Sequence, residues 1–89
     1  MEEEQIKIIQ KILTEWNPLN ERSSLIKDLD NYKTEVIDII FNLEMENKIS
    51  ASAVSKITRE ILNDAFNLYL TKQDCTQASA LIYKVLKKK

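Results

Sequence analysis

Glycine is absent from all 89 residues, and proline occurs once, at Pro18. No other feature of the sequence narrows the possible folds so far. Glycine is the residue that turns tightly at positive φ and lets backbone approach a ligand. Without it, most two-residue hairpin turns lose their preferred chemistry. A phosphate-cradling loop and a dinucleotide fingerprint, both of which require glycine, are excluded. A chain so built favours long helices joined by asparagine-type turns.

The hydrophobic pattern agrees. Ile6, Ile9, Leu13 and Trp16 recur at three- and four-residue spacing, with Ile8 and Ile12 widening the stripe. Glu2, Glu3 and Glu4 suit the positive end of that helix. The helix should stop near Trp16, because Pro18 disfavours helical geometry at Asn17. Residues 17–31 then form a connection in which Asn17, Asn20 and Asn31 fill the turn roles of the missing glycines. Leu25, Ile26 and Leu29 suggest a short helical turn within it.

A second helix is predicted from about Tyr32 to Met45, with Tyr32, Val36, Ile39, Ile40 and Leu43 as its stripe, closed at Asn47. A third begins after Ser50, a good N-cap, and should run to between Thr71 and Gln73, with Val54, Ile57, Ile61, Ala65 and Leu68 inward. Asp74 with Gln77 has the spacing of a capping box for a fourth helix, whose inward residues are Ala78, Leu81, Ile82 and Val85. The expected fold is all-α: one domain over residues 1–89, a compact three- to four-helix bundle with short connections.

Two segments resemble a known family. Glu15-Trp16-Asn17-Pro18-Leu19 is similar to the EWDPF segment of the small bacterial proteins called domain of unknown function 1871. Tyr32-Lys33-Thr34-Glu35-Val36-Ile37-Asp38-Ile39-Ile40 is similar to that family's YxTEIxDVL segment, and Cys75 matches a late cysteine near the start of the last helix. Asn17 and Leu19 replace the family's Asp and Phe, and the connection here is longer and lacks its glycine. The resemblance implies a helical fold and a bacterial origin. It implies no activity.

Composition narrows function in the same way. There is no histidine, hence no Ser–His or Cys–His nucleophile and no imidazole metal ligand. The single Cys75 cannot form an internal disulfide, which points to a reducing compartment. At a helix start it could be reactive, but a small semi-buried residue is the plainer reading. The start Met1-Glu2-Glu3-Glu4 does not read as a signal peptide, and no apolar run approaches the ~20 residues that span a bilayer. The chain is expected to be cytoplasmic, without cofactor, metal or membrane contact, and not an enzyme.

Charge is unevenly spread. Residues 1–49 hold 6 basic and 11 acidic side chains, a balance of −5, and residues 50–89 hold 7 and 3, a balance of +4. An acidic half can steer a basic partner. The densest acidic patch away from the termini is Asp28, Asp30, Glu35 and Asp38, flanked by Ile37 and Phe41. These six residues are the candidate partner-binding site. The alternatives are a solvated helix start, a metal site or acid–base chemistry for the acids, and burial against a second helix for Ile37 and Phe41. Trp16 reads as a core residue, with a partner anchor as the alternative.

The expected function is therefore a non-enzymatic protein-binding module, in its sharper form a bacterial immunity protein that covers the surface of a toxin such as a basic nuclease. One alternative is a nucleic-acid-binding regulator using the basic C-terminal half, although Lys84 and Lys87-Lys88-Lys89 have no interleaved aromatic residues. A homo-oligomeric structural protein is the other.

Overall fold

The computed structural model describes residues 3–26, 29–46 and 49–87, without the side chains of residues 22 and 23. Four α-helices carry most of these residues: α1 Glu3–Trp16, α2 Lys33–Met45, α3 Ala51–Phe66 and α4 Lys72–Lys87. No strand occurs among the described residues. The all-α reading therefore holds. The expected closure of α2 at Asn47 and the lysines at 88–89 lie outside the described residues.

Each helix packs on the next, and α4 closes the ring against α1. The diagonal pairs α1–α3 and α2–α4 make no close backbone approach among the described residues. The centre is filled from all four sides, by Ile9 and Leu13, by Val36, Ile39, Ile40 and Leu43, by Val54, Ile57 and Leu62, and by Ile82 and Leu86. A radius of gyration of 12.0 Å matches the roughly 12 Å of a packed domain of this length, so the four helices share one core.

Helix ends follow local chemistry. After Trp16, Asn17 turns into the left-handed region (φ 48°), and its N–H still donates to Leu13 O at 2.7 Å. Pro18 then bars continuation. At α3 the Ser50 hydroxyl accepts the Ala53 N–H at 3.1 Å, the N-cap expected from the sequence. This helix ends at Phe66, a turn earlier than its periodicity suggested. Asn67 is left-handed (φ 55°, ψ 46°), and Leu68 N–H donates back to Asn63 O at 3.1 Å. The Asn63 side chain then clasps the outgoing chain, accepting from Leu70 N–H at 2.9 Å and donating to Leu70 O at 3.2 Å.

The capping box of α4 also lies one turn before the expected Asp74–Gln77. Thr71 Oγ1 accepts from Asp74 N–H at 3.1 Å, and Asp74 Oδ2 accepts from Thr71 N–H at 2.9 Å. The Thr71 N–H, and after it the Thr71 side chain, hold the Asp74 carboxyl below its ordinary pKa.

The connection between α1 and α2, residues 17–32, is not short. It holds a 3-10 helix at Asn20–Leu25 and a left-handed turn at Asp30–Tyr32. Tyr32, expected as the first residue of α2, instead precedes it with φ 63° and is fully buried.

Candidate protein-interaction surface

Helix α2 buries Val36, Ile39, Ile40 and Leu43 on one side. At 100° per residue, Asp38, Phe41 and Met45 fall on the opposite side, with Ile37 at its edge. Phe41 is 57% exposed and Met45 69%, and they are four positions apart, so their side chains are neighbours along the helix. Ile37, four residues before Phe41, is half-buried, and Asp38 is exposed. The result is an apolar row on the outer face of α2 with a carboxylate beside it. Scattered exposed apolar residues are ordinary; these differ in lying side by side along one helix face.

Five of the six predicted residues are described, and their surroundings differ. Asp38, Ile37 and Phe41 come together as described. Asp28 lies outside the described residues. Asp30 sits in the left-handed turn before α2, where its backbone carbonyl accepts from Gln10 Nε2 at 3.0 Å and ties the turn to α1. Glu35 departs from the expected docking role. It is buried, and burial, with a smaller push from Asp38, raises its carboxyl above the ordinary range. The reason is its place on the wheel, about 60° from Asp38 and turned toward the core side. Met45 was missed as a site residue, although its spacing from Phe41 carried the signal.

A second concave surface lies between α1 and α4. Ile12, Trp16, Ala78 and Leu81 line a groove of about 460 Å³, with the carboxylates Glu15 and Asp74 at its rim. Trp16 was read as a core residue. It is half-buried, packed against the core and also facing this groove. Leu81, expected inward, is 44% exposed.

Cys75 is fully buried, and burial raises its thiol pKa, with Asp74 adding and Arg59 opposing. An inert thiol is the consequence. No cluster of three or more His, Cys, Asp or Glu side chains arranged to hold a metal ion occurs among the described residues. No described helix is long and apolar enough to cross a membrane.

No family model, curated protein or solved structure matches the chain.

Proposed function

We propose that this chain is a protein-binding module whose contact surface is the outer face of α2. The observation that carries this reading is the exposed row of Phe41 and Met45 beside Asp38. Covering a Phe or Met side chain is worth about 1.5–3 kcal/mol when complete, so two neighbours supply a useful anchor. Asp38 adds a partner for Lys or Arg, which sets register and approach more than affinity. The buried residues of α2 hold the row on a rigid helix, so little order has to be gained on binding.

The sharper form is an immunity protein that covers a basic toxin. Its support is the −5 balance of residues 1–49, the half that contains α2. The test is calorimetry of the purified chain against the product of the neighbouring gene, with Phe41→Glu and Met45→Glu as variants. Nanomolar binding lost in both variants, with unfolding midpoints unchanged, is the expected result. Binding that survives both substitutions removes α2 as the contact surface.

The groove between α1 and α4 is a second location for such a contact, favoured by its concavity and by Trp16. Trp16 is the only tryptophan, so its emission reports directly on that groove. A partner that shifts Trp16 emission and ignores Phe41 docks there instead. Self-association through α2 is separated by sedimentation: a dimer that Phe41→Glu converts to monomer indicates a homo-oligomeric role.

A further inference from the structure

A depression of about 200 Å³ between α3 and the start of α4 is lined by Ser52, Ser55, Lys56, Arg59 and Lys72. The first four recur at positions 52, 55, 56 and 59, the three- and four-residue spacing that stacks side chains on one helical face. Lys72 opens α4 and closes the depression from the other element. Three cations meet there, and no carboxylate lines the space.

These cations form no ion pair among the described residues. The one ion pair found among the described residues joins Lys7 to Glu3 on α1, at the surface. Neither Ser52 nor Ser55 has a side-chain hydrogen bond within the described residues. Glu60 and Asp64 share α3 but lie outside the depression, and Asp74 is directed to the Thr71 N–H. Arg59 is half-buried, and its planar guanidinium fork matches the geometry of phosphate oxygens. The depression also adjoins the N-terminal end of a 16-residue helix, where the backbone dipole adds positive potential.

We propose that this depression is a binding site for a phosphate group, either free or carried by a small molecule. A phosphate monoester brings about −1.5 to −2 charges at pH 7 and three acceptor oxygens. Three cations match that charge better than they match a single carboxylate. The Arg59 fork gives two parallel donors to adjacent oxygens, and the serine hydroxyls donate to a third. The space holds a phosphoryl group with a small appendage. No aromatic or apolar side chain lines it, so a stacked base or an acyl chain has nothing to rest on. This site shares no residue with the outer face of α2.

The experiment is a titration of the full chain with inorganic phosphate and with glycerol phosphate, followed by amide and side-chain NMR shifts. Sodium chloride at matched ionic strength is the reference. Saturable shifts confined to Ser52, Ser55, Lys56, Arg59 and Lys72 are expected, weakened about tenfold or more in Arg59→Gln, which removes the charge-assisted hydrogen bonds. Lys56→Gln and Lys72→Gln, both at exposed positions, should weaken it as well, whereas Lys84→Gln should leave it unchanged. Stronger binding of glycerol phosphate than of phosphate identifies a carried group, and the reverse a free ion. Shifts that follow chloride equally, or that never saturate, overturn the proposal. So does a single-stranded oligonucleotide that moves Lys84 and Lys87 together with this cluster while phosphate moves nothing, since that result belongs to a nucleic-acid surface.

Discussion

The Tyr32 hydroxyl donates to Asn17 Oδ1 across 2.9 Å, joining the turn that ends α1 to the turn that begins α2. Leu19 N–H approaches the same hydroxyl at 3.5 Å. Both termini of the long connection are thus pinned at one phenol. The ring stands edge-on to Phe66 of α3, with centroids 5.9 Å apart and planes at 88°. These contacts hold a bulky residue at φ 63°, a region that costs a non-glycine residue about 1–2 kcal/mol. Burial raises the phenol's pKa, the Leu19 contact opposes and Glu35 adds to the rise, so the group stays a neutral donor at physiological pH.

Tyr32→Phe keeps the ring and its packing on Phe66 while removing the shared hydroxyl. The Asn17 side-chain oxygen and the Leu19 N–H then lose a partner in a largely buried setting. The variant should be less stable by about 1–2 kcal/mol. Urea unfolding checks this as a lower midpoint at unchanged slope. A variant as stable as the parent would show that the phenol bond is not what closes the connection.

Asn67 holds the left-handed position after α3 (φ 55°, ψ 46°), and its side chain makes no hydrogen bond among the described residues. Glycine adopts that geometry without steric cost. Asn67→Gly should therefore raise stability by a few tenths to about 1 kcal/mol, whereas the β-branched Asn67→Val should lower it. Thermal melts of the two variants, moving in opposite directions, check the assignment.

The turns show how much of this fold the sequence made readable. Six described residues have positive φ: Asn17, Asn20, Asp30, Asn31, Tyr32 and Asn67. Asn17, Asn20 and Asn31 could be anticipated, because a chain without glycine has few other residues that tolerate the left-handed region. Tyr32 could not, since its conformation is imposed by tertiary contacts with Asn17, Leu19 and Phe66. Helix periodicity located α1 and α2 within a residue or two. It overran the end of α3, because Leu68 continues the apolar spacing although Asn67 has already turned the chain. The site was half legible. Periodicity placed Ile37, Asp38 and Phe41 together, but counting acids along the chain could not show that Glu35 turns inward. The basic depression escaped notice because Lys72 reaches it from another helix.

Thr58 on α3 and Ser79 on α4 are buried, and neither hydroxyl oxygen has a hydrogen-bond partner among the described residues. A buried hydroxyl without a partner costs about 1–3 kcal/mol by mutational measures. Thr58→Val preserves the branched shape and removes the polar atom. It should raise the melting temperature by several degrees, since 1 kcal/mol moves a domain of this size by roughly 4–8 °C. Ser79→Ala should act in the same direction. A fall in both variants would mean that these hydroxyls are satisfied in solution.

Glu35 sets a pH dependence whose sign follows from its environment. Its folded-state pKa lies above the ordinary carboxylate value, first through burial and then through Asp38. Between the unfolded and folded values the folded chain binds more protons, so this group makes stability fall as pH rises through that window. Above it, the cost of a buried carboxylate is fully present; below the unfolded value near 4.5 it is gone. Glu35→Gln removes the charge at nearly constant shape. The variant should be the more stable of the two at pH 7, and the difference should shrink as pH falls through the folded value and vanish below the unfolded one. Chemical denaturation of both chains from pH 7 to pH 4 reads the difference directly. A gap that stays constant, or widens toward acid, would place the ionised carboxylate in a favourable environment and contradict the burial described for it.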